Sequence, residues 1–258
     1  MKICLDAGHY GKYNRSPANP AYYESEAMWT LHLLQAKYLK EYGCEVIFTR
    51  DDLNKNKEVY DRGTAAKGCN LFISNHSNAV GDSAANESVD YPIVYVPISG
   101  TGTALGEKLA ACVAETMGTK QKGQAQSKRG SEGDYYGVIR GATAGGAVGL
   151  LIEHSFHTNT RATNWLLDIN NLDRLAKAEA DVIARHYGLT PAPPPVPTDY
   201  ATERINAAAW VVKEGISDGL RPFANATREE QWVMLYRFNN YLISKFGIQP
   251  SMQLISYQ

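Results

Sequence analysis

Four side chains stand out as capable of chemistry: His9, Glu24, His76 and Glu153. His9 follows the apolar run Ile3–Asp6, His76 follows Leu71–Ser74, and Glu153 ends the run Leu150–Ile152. Each therefore sits where a strand would end. Glu24 opens a helical pattern in which, at about 100° per residue, Ala27, Leu31, Leu34, Tyr38 and Tyr42 share one stripe. Glu24 extends that stripe near its centre, whereas Glu26 points roughly opposite, toward solvent. A carboxylate on a buried helix face is costly unless a cation or strong donors compensate it. Alternatively the helix starts later, leaving Glu24 an exposed first-turn residue favoured by the helix dipole. With two imidazoles at neighbouring strand ends, a metal explains it better.

Two imidazoles and one carboxylate form a common catalytic zinc set that leaves a fourth position for water. Zinc lowers the pKa of such a water toward ~7 and polarises a carbonyl. A second carboxylate that does not ligate must then accept the water's proton and pass it to the leaving group. Glu153 is the candidate for that role. His154, next to it on a strand, projects to the other face. The helical H-E-x-x-H signature of many zinc peptidases is absent.

The elements that position these residues alternate. Strand-like runs at Ile3–Asp6, Val46–Phe48, Leu71–Ser74, Ile93–Val96 and Leu150–Glu153 are separated by helical patterns near Glu24–Tyr42, Lys55–Lys67 and Ala104–Met117, with another near Leu172–Tyr187. The expected fold class is α/β, an open twisted, mostly parallel sheet with helices on both faces. Such a sheet carries its site outside the carboxyl ends of the strands. The run Thr190-Pro191-Ala192-Pro193-Pro194-Pro195-Val196-Pro197 reads as a stiff spacer. It divides a catalytic domain, 1–189, from a small, mainly helical C-terminal domain, 199–258, through a linker at 190–198. Helices are expected there near Glu203–Glu214 and Thr227–Lys245.

Composition narrows the function classes. With 44% apolar and 21% charged residues the 258-residue chain is an ordinary globular protein, and its net charge of -1 argues against nucleic acid or an anionic membrane as partner. No run approaches the ~20 apolar residues of a membrane span. The opening Met1-Lys2-Ile3-Cys4-Leu5-Asp6 lacks a signal-peptide core. Synthesis in the cytoplasm without a signal peptide is expected, with release needed for work elsewhere. Cys4, Cys44, Cys69 and Cys112 form no C-x-x-C pair and read as reduced thiols.

As an ordered set, these residues resemble the zinc-dependent N-acetylmuramoyl-L-alanine amidases. The resemblance rests on Asp6-Ala7-Gly8-His9, Glu24 leading a helix that ends at Gly43, and Val46-Ile47-Phe48-Thr49-Arg50. It continues in Asp61-Arg62 before Leu71-Phe72-Ile73-Ser74-Asn75-His76-Ser77-Asn78-Ala79, and in Leu151-Ile152-Glu153-His154-Ser155-Phe156-His157-Thr158-Asn159. It covers roughly residues 1–188. The resemblance implies one Zn2+ held by His9, Glu24 and His76, Glu153 as catalytic acid/base, and cleavage of the bond between N-acetylmuramic acid and L-alanine in bacterial peptidoglycan. Glu26 offers an alternative ligand, though helix phase favours Glu24. Asn78, Arg140 and His157 are candidates for lining the substrate groove.

Gly100-Thr101-Gly102-Thr103-Ala104-Leu105-Gly106 has the wrong spacing for a dinucleotide loop, and the glycines of Gly141–Gly149 lack the Lys-Ser/Thr of a phosphate loop. The C-terminal segment, with Trp210, Gly215-Ile216-Ser217-Asp218-Gly219, Arg221-Pro222-Phe223 and Thr227-Arg228-Glu229-Glu230, resembles one S-layer homology repeat. That resemblance implies binding to a secondary cell-wall polymer, with Trp210 and Arg228 as contacts. A small helical pair that packs on the catalytic domain or serves as a homodimer contact fits the segment equally. The combined expectation is a cell-wall hydrolase of phage endolysin type. Two alternatives remain: a zinc peptidase cutting the stem peptide, and a non-catalytic wall-binding protein on the same fold.

Overall fold

A computed structural model describes residues 1–81, 84–191, 207, 209–216 and 228–246. The chain forms two units, Met1–Ala192 and Pro193–Gln258. In the first, β1 (Lys2–Ala7), α1 (Glu24–Glu41), β2 (Glu45–Phe48), α2 (Val59–Thr64), β3 (Leu71–Asn78), β4 (Ile93–Tyr95) and α3 (Thr103–Met117) follow in order. Then come β5 (Gln124–Gln126), the ribbon β6 (Arg129–Gly130) and β7 (Gly133–Asp134), α4 (Gly137–Ala144), β8 (Val148–Phe156), α5 (Thr160–Leu166) and α6 (Ile169–Tyr187).

The six-stranded sheet runs β2-β1-β3-β8-β4-β5. Strands β2, β1, β3 and β8 are parallel, as their near-continuous apolar runs require. β4 lies antiparallel to β8, so the sheet is mostly, not wholly, parallel, as the sequence leads one to expect. The reason is the connection: among the described residues of 79–92 there is no helix to carry a parallel crossover.

Alternation splits the apolar side chains between two cores. Ile3, Leu5, Leu71, Ile73, Leu150 and Ile152 pack with Met28 and Leu31 of α1, Leu109 of α3 and Leu175 of α6. Cys4, Phe72 and Leu151 pack on the other face with Val138 and Ile139 of α4. Helices α2 and α4 cross so closely that a Cβ on Gly141 would lie 2.2 Å from the Tyr60 carbonyl, so the glycines near 141 serve close packing, here inside a helix the sequence pattern did not announce. The helix expected over Lys55–Lys67 shrinks to Val59–Thr64. Arg50 takes the Leu53 and Lys55 carbonyls, and Arg62 takes that of Lys57, which removes them from any helical ladder.

The four cysteines are free thiols. Cys4, Cys44 and Cys69 are buried, and burial pushes Cys4 up to about 12. Among the described residues no helix is long and apolar enough to cross a membrane. The second unit contains α7 (Arg228–Phe246), and Trp210 meets Tyr241 ring-to-edge at 5.5 Å. Thr227 of the S-layer-like motif lies outside the described residues, as does the segment 217–226.

Candidate active site

Strands β1 and β3 are neighbours, yet α1, which follows β1, and α2, which leads into β3, pack on opposite faces of the sheet. Their carboxyl ends thus open a crevice at the switch point of the topology. The tip of β1 is held from beneath. Asp6, fully buried, accepts Thr49 Oγ1 (2.5 Å) and Ser74 Oγ (2.7 Å), while Arg50 and Arg62 both donate to the Ala7 carbonyl. Gly8 then passes under the His76 ring, where a Cβ would lie 2.5 Å from Cε1 and 2.6 Å from Nδ1. His9 follows at φ 59, in the left-handed region that costs a non-glycine residue energy, and this turns its ring back over the strand end.

Glu24 is the first residue of α1 and only 1% exposed, so it is both a first-turn residue and a buried one. Its Oε1 accepts the Ser77 backbone N–H (3.1 Å) and lies 2.9 Å from His76 Nδ1; its Oε2 lies 3.4 Å from His9 Nε2. Burial would raise this carboxyl, but the His76 and His9 partners outweigh it and hold it well below the usual carboxylate range. Glu26 lies outside this cluster, part-exposed in the same turn.

His9, Glu24 and His76 each offer one donor atom, all within 4.8 Å of one another, and among the described residues they are the one such group. A tetrahedral ion with bonds of roughly 2.0–2.1 Å sets its donors about 3.3 Å apart. The 3.4 Å and 2.9 Å contacts of Glu24 with the two imidazoles bracket that value. A carboxylate with two imidazole nitrogens at this spacing suits a divalent ion.

Glu153 reaches the same edge from β8, directly opposite His76 in the β3 register. It is 8% exposed, and its Oε2 has no hydrogen-bond partner. Burial first, and the Glu24 charge second, push its carboxyl well above the ordinary range. An orphaned buried oxygen beside two imidazoles and a carboxylate is costly for stability alone and fits a group kept free for a ligand. Beyond Glu153 the β3–β8 register slips by one residue, with Ser155 at φ 60. Ser155 is pinned by Asp90, which Arg161 grips through two nitrogens at 2.7 and 2.8 Å.

The bulge returns His157 to the α1 side, where it stacks on Tyr22, contacts Ser77 Oγ (3.0 Å) and lies 3.9 Å from Glu24 Oε2. Burial lowers its imidazole. His154 points away from Glu153 into a buried cluster. It donates through Nδ1 to the His76 carbonyl (3.0 Å) and pairs through Nε2 with Glu179 (2.9 Å), which Gln35 links to Asn75.

The other candidates scatter. Asn78 caps the end of β3, its Oδ1 accepting Ala79 N–H and its carbonyl accepting His157 N–H. Arg140, on α4, ties the β6–β7 ribbon by donating to the Asp134 and Tyr135 carbonyls and pairs with Glu132 (2.9 Å). Neither forms a hydrogen bond or ion pair with Glu24 or Glu153. Trp210 and Arg228 belong to the second unit; the Trp210 side chain is 40% exposed, and the Arg228 side chain lies outside the described residues. Two residues of the site had no sequence signal. Asn14 donates to Glu24 Oε2 (2.6 Å), and Tyr13 stacks on His9 at 4.8 Å. Both lie in an aperiodic loop, which meets the start of α1 through the Glu24 N–H to Asn14 carbonyl bond and through Ser25, whose Oγ accepts the Tyr13 N–H and donates to the Gly11 carbonyl.

An open α/β sheet presenting two imidazoles and two buried carboxylates at its switch point defines a hydrolase-type centre. The Amidase_3 family model, described as N-acetylmuramoyl-L-alanine amidase, matches residues 3–185. The chain belongs to this family, whose substrate is peptidoglycan. Among solved structures it is similar to the catalytic domain of the N-acetylmuramoyl-L-alanine amidase CwlV from Bacillus (Paenibacillus) polymyxa var. colistinus, at 23% identity and a TM-score of 0.61, covering 73% of this chain and 99% of that one. It is similar also to the amidase AmiC2 of Nostoc punctiforme, at 20% identity and a TM-score of 0.61, covering 73% and 97%. An N-acetylmuramoyl-L-alanine amidase from Clostridium difficile 630 has 18% identity and a TM-score of 0.61, covering 72% and 96%. At these identities the likeness is one of fold. No curated protein sequence matches the chain.

Proposed function

We propose that the first unit hydrolyses the amide between N-acetylmuramic acid and L-alanine with one zinc ion, held by His9 Nε2, His76 Nδ1 and Glu24, and with Glu153 as general base and acid. The observation that carries this reading is the orphaned Glu153 Oε2 beside the three-donor cluster. A non-catalytic binder has no use for a buried carboxylate that neither ligates nor hydrogen-bonds. Zinc held there would polarise the substrate carbonyl, acidify a water and, by its charge, favour the ionised form of Glu153. Glu153 takes the proton from the attacking water and returns it to the alanine nitrogen as the C–N bond breaks. His76 and Glu153, opposite in register, hold ligand and base at fixed separation, so the strand pairing itself orients the reaction. The Ser77 N–H holds Glu24 aimed at the edge.

The reading extends to a lysin of endolysin type, made in the cytoplasm and released to the wall. The second unit would then serve as wall-polymer contact or homodimer contact; the exposed Trp232, Leu235 and Tyr236 of α7 support either use. Mass spectrometry of digested peptidoglycan tests the activity. Glycan freed of peptide, with new alanine amino termini, is expected, whereas cuts inside the stem would replace the amidase with a peptidase. Glu153→Gln should retain zinc and lose at least about 100-fold in rate; unchanged lysis would remove Glu153 from its role.

A further inference from the structure

Asn14 sits at φ 51 in the loop between β1 and α1, half-buried, with its backbone carbonyl accepting the Glu24 N–H. Its Nδ2 lies 2.6 Å from Glu24 Oε2 and 3.1 Å from His9 Nε2. The two hydrogens of one amide nitrogen thus meet the lone pairs of two of the three proposed metal donors. A nitrogen donating to His9 Nε2 also requires that atom to be unprotonated, the tautomer that ligation by Nε2 needs.

We propose that Asn14 is a built-in stand-in for the metal, satisfying the donors when no ion is bound and giving way when one binds. This rests on the metal reading above. An amide hydrogen and a metal ion cannot share the single lone pair of His9 Nε2, so that contact of Nδ2 must break on loading. Glu24, with further lone pairs on its two oxygens, has no such conflict. Losing the His9 contact opposes binding.

The donors do not depend on Asn14 for their geometry. Glu24 keeps the Ser77 N–H and His76, while His9 keeps its stack on Tyr13 and its edge contact with His76 at 5.1 Å. The backbone bond to Glu24 N–H also survives any change of side chain. Removing the amide therefore destabilises the metal-free form without loosening the cluster, and metal affinity rises.

The test is titration of zinc alone into the chelator-stripped full chain, with a chromophoric chelator as competitor. Asn14→Gly suits the positive φ, and Asn14→Ala is the second variant should the first perturb the loop. Both should bind zinc about fivefold more tightly than the unaltered protein. Both should also melt earlier without zinc and at an unchanged midpoint with it. Equal or weaker zinc binding in the two variants, with binding by the unaltered chain intact, would overturn the proposal. If the unaltered chain binds no zinc, the metal reading itself falls and takes this one with it.

Discussion

Gly8 illustrates how little room the site leaves at the level of single residues. Its backbone passes so close to His76 that a methyl group would meet the imidazole at 2.5 Å, well inside contact distance. The neighbours cannot absorb this, because His76 is held by Glu24 and its backbone by the His154 ring below. Gly8→Ala should therefore displace the His76 imidazole by several tenths of an ångström and lower kcat/KM on peptidoglycan by about 100-fold. The thermal midpoint should change far less, since the alanine fills no core position. Rate assays beside a melting curve check this; an unaltered rate would mean that His76 has slack. At this scale the sequence was informative wherever residue type met position. Histidines just past apolar runs and a glutamate on an apolar stripe pointed to the edge where they now lie together. Asn14 and Tyr13 had no such marker, because a loop has no period and a neutral amide no anomaly in it. His157 was ambiguous for a different reason: only the bulge decides which side of the strand it faces.

That bulge belongs to the element scale. β8 carries one residue more than β3 beyond Glu153, and the strained Ser155 is fastened to Asp90, itself clamped by Arg161 from α5. Burial would raise the Asp90 carboxyl, but the bonds from Arg161 and Ser155 outweigh it and hold it below the ordinary value. The folded form thus binds the proton more weakly than the unfolded chain, which titrates near ~3.9. The stabilisation is complete above that pH and is lost as pH falls through the folded pKa. Asp90→Asn should cost about 2 kcal/mol at neutral pH and flatten the acid side of the stability profile, read by urea unfolding from pH 7 to 3. A variant with the parent's full acid dependence would show that Asp90 is not the group responsible. The strands and long helices of this layer were legible from apolar runs and 3.6-residue stripes. The direction of β4, the length of α2 and the existence of α4 were not. They depend on a helix-free connection, on arginines capturing carbonyls, and on glycines packed helix to helix, all of which act between segments distant in sequence.

For the whole molecule, the proline run of the sequence falls where the chain divides into two units. The family match spans 3–185, within the first of these. The proposed chemistry is correspondingly local: three donors from two strand ends and one helix start, with one base from a third strand. In the proposed reading, one ion joins these parts into a single device. Elemental analysis of the purified full chain, alongside His9→Ala and His76→Ala, is the most direct measurement of that. One zinc per chain, lost from both variants together with wall lysis, is expected. A chain that lyses walls at full rate with no metal after exhaustive chelation would contradict the assignment, as would zinc retained at one per chain in both variants.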